Sequence, residues 1–113
     1  MELQITERDG IAFASLSGFM SAGESETLTD ALADHAFQDG ARVVIDLSGL
    51  KTIDSSGLSA LIHVVTRSRT TRGRVILVKP SDFVRNVFTT TRLDHYFDLA
   101  DSTDAAVQQL GSA

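Results

Sequence analysis

Two short apolar runs limit what this chain can fold into more than any other feature. Arg42-Val43-Val44-Ile45-Asp46-Leu47 and Val75-Ile76-Leu77-Val78 carry almost no polar alternation, the pattern of strands buried on both faces. Such strands belong inside a parallel or mixed sheet, which needs helices packed over it. The intervening segments supply them. Leu28, Ala31, Leu32, Ala36 and Phe37 fall at helical spacing before a stop at Gly40. Leu58, Leu61, Ile62 and Val65 stand at i, i+3, i+4 and i+7 on a helix ending near Gly73. Pro80 closes the second run, and Ser81 caps a third helix with Phe83, Val84, Val87 and Phe88 on its inner face.

The ends of the chain complete the pattern. Residues 2–8 and 11–17 alternate in polarity around Asp9-Gly10, a dipeptide suited to a tight hairpin turn. Residues 18–23 read as a loop, in which Ser21 and Glu24 fit a capping box for the first helix. Residues 48–54 read as a second loop. Tyr96-Phe97-Asp98-Leu99 forms a last short strand, and Asp101 or Ser102 starts a terminal helix through Ala105, Ala106 and Leu110. The expected architecture is one α/β domain over residues 1–113. It has a mixed β-sheet of about four to five strands flanked by about four helices, in the order β-β-α-β-α-β-α-β-α.

Composition narrows the function classes. The formal charge of −5 gives no field to gather phosphate backbones, so direct nucleic-acid binding is not expected. There are no cysteines, which removes thiol catalysis, thiolate zinc sites and disulfides together. No basic leader opens the chain, and no window approaches the roughly 18 apolar residues of a membrane span. A cytoplasmic protein without membrane insertion is the expectation.

The segment 43–62, VVIDLSGLKTIDSSGLSALI, holds the most chemical information. A buried strand feeds a loop that delivers Asp54-Ser55-Ser56-Gly57 to a helix start, where such residues satisfy free N–H groups. Asp54 also places negative charge at the positive end of the helix dipole, worth about 0.3–1 kcal/mol. Gly57 lets another chain segment approach closely. Capping alone accounts for this string.

In its wider setting the same string resembles the signature of the STAS domain, in particular that of the bacterial anti-sigma factor antagonists. Strand, Leu47-Ser48-Gly49-Leu50, then Ile53-Asp54-Ser55-Ser56-Gly57-Leu58 carry the likeness. It extends to the overall element order, the Val84-Arg85-Asn86-Val87-Phe88 helix and Arg92-Leu93. The resemblance implies a STAS-like fold and a phosphorylation site at Ser55. It implies two partners: an anti-sigma factor with serine kinase activity, and a metal-dependent serine phosphatase that resets the switch. It further places Gly18, Ser21, Asp54, Ser56, Gly57 and Leu58 at the partner surface, with no catalytic residue, cofactor or metal. Two positions depart from the family pattern. Gly18-Phe19-Met20-Ser21 has serine where the family has an acid, and Arg92 stands where it usually has glycine. A non-glycine residue at a left-handed turn is strained, so a different local turn is expected at Arg92.

Other functions fit less well. A Gly-x-Ser-x-Gly nucleophile elbow would need glycine at Ile53, and Ser55, Asp82 and His95 are not enough to define a hydrolase triad. STAS domains also serve as subunits of lipid-transport ABC complexes and as modules of signalling scaffolds, which keeps the fold and changes the partner. His35, His63 and His95 lack the company of further ligands. Arg67, Arg69, Arg72 and Arg74 suit a solvated helix end. Phe13, Phe37, Phe83, Phe88 and Phe97 read as core. Phe19 and Met20 read equally well as an exposed contact or as packing beneath the loop.

Overall fold

The computed structural model describes residues 1–20 and 24–111. Five strands, β1 (Glu2–Arg8), β2 (Ile11–Met20), β3 (Arg42–Ile53), β4 (Arg74–Val78) and β5 (Asp98–Ala100), form one sheet in the order β1-β2-β3-β4-β5. β1 and β2 are antiparallel and every other neighbouring pair is parallel. Four helices connect and close the strands: α1 (Ser25–Ala36), α2 (Ser55–Thr70), α3 (Asp82–Thr90) and α4 (Thr103–Gly111). The element order is the one expected, and the mixed sheet with helices on both faces is confirmed.

Right-handed crossovers that advance in one direction across a parallel sheet put their helices on the same face. Accordingly α1, α2 and α3 share one core with the sheet, where Leu28, Leu32, Ile45, Leu47, Leu61, Leu77 and Phe88 are fully buried. α4 covers part of the other face through Ala106 and Leu110, against Val44, Ile76 and Val78. Each large apolar side chain so buried contributes about 1.5–3 kcal/mol. The continuous runs in β3 and β4 thus serve two cores at once.

The hairpin turn has φ of 54° at Asp9 and 78° at Gly10, the double positive value of a type I′ turn. Ser81 accepts from the Val84 N–H at 3.3 Å and Ser102 from the Ala105 N–H at 3.0 Å, so Ser102 rather than Asp101 starts α4. The proposed capping box rests on Ser21, which lies outside the described residues. Glu24 is the N-cap residue of α1, and its carboxylate pairs with the N-terminal ammonium of Met1.

Four expectations are corrected. β2 continues to Met20 and β3 to Ile53, so residues 18–20 and 48–53 are strand and not loop. The two extensions pair with each other across register shifts at Ser15/Ser17 and Gly18/Phe19. Bulges break the alternation that would mark a strand, and Leu50 and Ile53 supply the burial that holds it. β5 starts at Asp98 and not at Tyr96, because the N–H groups of Tyr96 and Phe97 both turn back to the Leu93 carbonyl. Phe83 leaves the core and is 49% exposed. Val84 and Phe88 form the buried stripe of α3, and Phe83 falls on the next stripe round with Asn86 and Thr90.

Arg92 provides the fourth correction. It keeps a left-handed turn with φ of 61°, and Leu93 N–H reaches the Phe88 carbonyl at 2.8 Å while Arg92 N–H reaches that of Thr89 at 3.1 Å. This is the Schellman arrangement that a glycine would make without strain. α2 ends in the same way, with Arg72 at φ 62° and Gly73 N–H bonded to the Ser68 carbonyl.

Candidate functional site

The junction between β3 and α2 gathers most of the residues singled out in the sequence. Asp54 leaves β3 in an extended conformation, and its Oδ1 accepts the Gly57 N–H at 2.9 Å. Leu58 N–H closes the first helical hydrogen bond on the Asp54 carbonyl at 3.0 Å. The N–H groups of Ser55 and Ser56 are left unpaired among the described residues, at the positive end of a helix of 16 residues. The first turn carries no acidic residue.

Exposure separates these neighbours. Ser55 is exposed and its hydroxyl makes no hydrogen bond among the described residues, while Ser56 and Leu58 are half-buried. Gly57 is buried because the helix entrance rests on the strand ends. A Cβ added there would lie 2.7 Å from Ile53 Cγ1 and 2.9 Å from Met20 Sδ. Gly57 is therefore required by close approach, and it sets the height at which Ser55 stands above the sheet. The extension of β2 and β3 is what brings Met20 and Ile53, paired in register, beneath the helix.

The remaining candidates separate into two groups. Gly18 lies within β2 at φ 88°, beside the register shift, where its backbone conformation serves the bulge. Ser21 lies outside the described residues. Phe19 and Met20, adjacent on the strand, point to opposite sides: Met20 is 2% exposed under α2 and Phe19 is 59% exposed. The Lys51 ammonium stands 5.8 Å from the Phe19 ring centre. His63 is exposed on α2, with its ring edge-on to Phe37.

Neither the triad nor the arginine group forms a second centre. His95 is exposed and lies 3.9 Å from Asp94, not against Ser55, and Asp82 opens α3. The four arginines are engaged within the chain. Arg67 stacks on Phe37, Arg69 stacks on Tyr96 and donates to its carbonyl, and Arg72 pairs with Asp39. Arg74 donates to the Gln109 carbonyl and lies 3.8 Å from Asp98. Among the described residues no group of three or more His, Cys, Asp or Glu could hold a metal ion. No described helix is long and apolar enough to cross a membrane.

A groove of about 400 Å³ between α1 and α2 went unforeseen. Glu26, Thr29 and Asp30 of α1 line one wall, and Ser56, Ser59 and Ala60 of α2 line the other. Glu26 and Asp30 are four residues apart on one face of α1, a pattern visible in the sequence but common on solvated helices. Only the packing of α1 beside α2 turns it into a wall next to Ser56.

Comparison with known proteins places this geometry. The sequence model of the STAS domain matches residues 2–106. The chain is a member of the STAS domain family. It is 31% identical, over all of its length and 97% of the relative's, to BtrV of Bordetella bronchiseptica, a protein named as a candidate anti-sigma factor antagonist. Among solved structures it is similar to the anti-sigma factor antagonist SpoIIAA in its unphosphorylated form, with a TM-score of 0.81 and 23% identity. That match covers 99% of this chain and 98% of the other. The phosphorylated form of SpoIIAA, from Bacillus, matches with a TM-score of 0.73 and 22% identity over 96% of this chain and 99% of the other. These likenesses establish the STAS fold along the described chain.

Proposed function

We propose that this STAS domain is an anti-sigma factor antagonist whose binding is switched by phosphorylation of Ser55. The observation that carries the proposal is that Ser55 is exposed, with a hydroxyl that makes no hydrogen bond among the described residues, at a helix entrance already capped by Asp54. No described part of the fold makes use of that hydroxyl. In the unphosphorylated state the entrance to α2 binds an anti-sigma factor that is also a serine kinase, and the sigma factor is released in the cytoplasm. Asp54, Ser56, Gly57 and Leu58 form the centre of this contact, with Gly18 at its β2 side; Ser21, outside the described residues, is the remaining candidate for it. Glu26 and Asp30 offer negative charge to a basic side chain entering the groove beside Ser56.

The switch follows from charge. The kinase transfers the terminal phosphoryl group of ATP to Ser55 Oγ: the new O–P bond replaces the bond to ADP, and the hydroxyl proton leaves to a base of the kinase. Phosphoserine brings about −1.5 to −2 charges and three acceptor oxygens. The N–H groups of Ser55 and Ser56, unpaired among the described residues, and the helix dipole accommodate them in the free domain. At an interface the same charge is buried without a partner, at a cost of about 2–5 kcal/mol, or roughly 30-fold to several thousand-fold in affinity. A metal-dependent phosphatase hydrolyses the ester and restores binding. The domain itself supplies no catalysis and holds no cofactor.

Intact mass measured after incubation with the cognate serine kinase and ATP tests this reading. One phosphate on the wild type and none on Ser55→Ala supports it. A phosphate that persists in Ser55→Ala moves the site, with Ser56 next in line. No phosphate from a kinase active on another substrate overturns the switch. Co-purification with a transporter ATPase would then point to a lipid-transport subunit.

A further inference from the structure

β1 ends the sheet, and its outer side pairs with nothing among the described residues. The hairpin decides which backbone groups face that open side. A two-residue turn closes on a hydrogen-bonded pair, here Arg8 and Ile11. Alternation along the ladder then directs the backbone groups of Glu2, Gln4, Thr6 and Arg8 toward β2. The N–H and C=O groups of Leu3, Ile5 and Glu7 point outward.

From this edge we infer that β1 binds a second copy of the chain, the two strands pairing antiparallel about a two-fold axis at Ile5. One sheet then runs through both copies. Only registers that set outward residues opposite outward residues satisfy both edges, and centring on Ile5 uses all of them. Ile5 faces Ile5 of the second copy, while Leu3 faces its Glu7 and Glu7 faces its Leu3. The same register sets Glu2 opposite Arg8 and Gln4 opposite Thr6, each twice by symmetry. These fall at non-hydrogen-bonded positions, where side chains approach most closely and opposite charges stabilise the pair. A slip of two residues in either direction breaks this match, placing Thr6 opposite Glu2 or Gln4 opposite Arg8.

Other properties of the strand agree. Edge strands that remain unpaired are commonly blunted by short length, proline, a bulge or charged side chains. β1 has no proline and pairs with β2 over seven residues without a register shift. Its charges are of both signs and attract under a two-fold axis. Leu3 and Ile5 are half-buried against the core on the α1 side, and a second copy would cover what remains exposed. Glu7 is held on that side by His35, whose Nδ1 lies 2.7 Å from its carboxylate. On the other side the Arg8 guanidinium lies over the Phe13 ring at 4.6 Å, and the residue as a whole stays exposed. β2 and β3 lie between this edge and the strand end that leads into α2, so the pairing strands do not run through the Ser55 entrance.

Charge reversal tests both the edge and its register. Sedimentation velocity on the full chain is run over a concentration series up to the sub-millimolar range. It is repeated for Glu2→Arg, for Arg8→Glu and for an equimolar mixture of the two, with circular dichroism to establish folding. The wild type is expected to shift from monomer to dimer with concentration. Each reversal sets like charges against each other twice and weakens self-association about tenfold or more. The mixture restores dimers, since one copy then offers arginine and the other glutamate at both positions 2 and 8, and the two meet. A wild type that stays monomeric throughout overturns the inference, as does a dimer indifferent to both reversals. A mixture no stronger than either variant alone overturns the register. Should Arg8→Glu fail to fold through its lost stacking on Phe13, Glu2→Arg decides alone, because Glu2 is exposed and forms no ion pair among the described residues. Kinase-dependent phosphorylation of Ser55 does not enter any of these measurements.

Discussion

The entrances of α2 and α3 are built by the same device and used differently. Each follows an extended residue whose side-chain oxygen accepts the N–H three positions on, Asp54 to Gly57 at 2.9 Å and Ser81 to Val84 at 3.3 Å. In α3 the next residues serve the helix. Asp82 brings a carboxylate to the positive end of the dipole, and Val84 fills the core with no exposure. In α2 the corresponding residues are Ser55, whose hydroxyl bonds nothing among the described residues, and Gly57, which has no side chain to fill the core. A cap explains Asp54 as fully as it explains Ser81, but it does not explain the hydroxyl beside it. What remains after folding requirements are met is the candidate switch.

Mirror substitutions at the third position sharpen the contrast with the largest effect. Gly57→Val forces a side chain against Ile53 and Met20, and is expected to cost about 1–3 kcal/mol by overpacking. Val84→Ala opens a cavity instead and is expected to cost about 2 kcal/mol. Thermal denaturation reads both, at about 4 °C per kcal/mol for a domain of this size. A Gly57→Val variant as stable as the wild type would break the claim that α2 is seated by close approach.

Cap removal comes next. Asp54→Ala and Ser81→Ala should each lower stability by about 0.5–2 kcal/mol, with Asp54→Ala the costlier because the dipole also loses its anion. Urea denaturation at constant m-value gives the difference. A similar increment with the opposite sign is expected at the far end of α3. Arg92→Gly relieves the positive φ and should raise stability by about 0.5–1 kcal/mol after the added chain entropy of glycine is deducted. The smallest effect belongs to Ser55→Ala, expected within about 0.5 kcal/mol of wild type because the hydroxyl has no partner among the described residues. A larger loss would return Ser55 to the fold.

Much of the architecture is legible in the sequence because it rests on local signals. The buried runs of β3 and β4, the Asp9-Gly10 turn and the Ser81 cap act within a few residues. What is hidden depends on distant chain. The strand extensions to Met20 and Ile53 exist only because each supplies the other's hydrogen bonds across two register shifts. Gly18 and Ser48-Gly49 read as loop residues until that pairing is known. Phe83 is misplaced because helical periodicity marks a stripe but not its width. The site divides in the same way: Asp54 to Leu58 are contiguous and stand out, whereas Glu26 and Asp30 acquire meaning only beside Ser56 and Ser59.

Affinity of the anti-sigma factor kinase for this domain before and after stoichiometric phosphorylation of Ser55 tests the account most directly, with melting curves recorded on the same samples. Calorimetry should show binding weakened at least 30-fold or so by the phosphate, while the melting temperature stays within a few degrees. Undiminished binding of the phosphorylated domain would contradict the switch, and loss of binding accompanied by unfolding would show that Ser55 belongs to the fold after all.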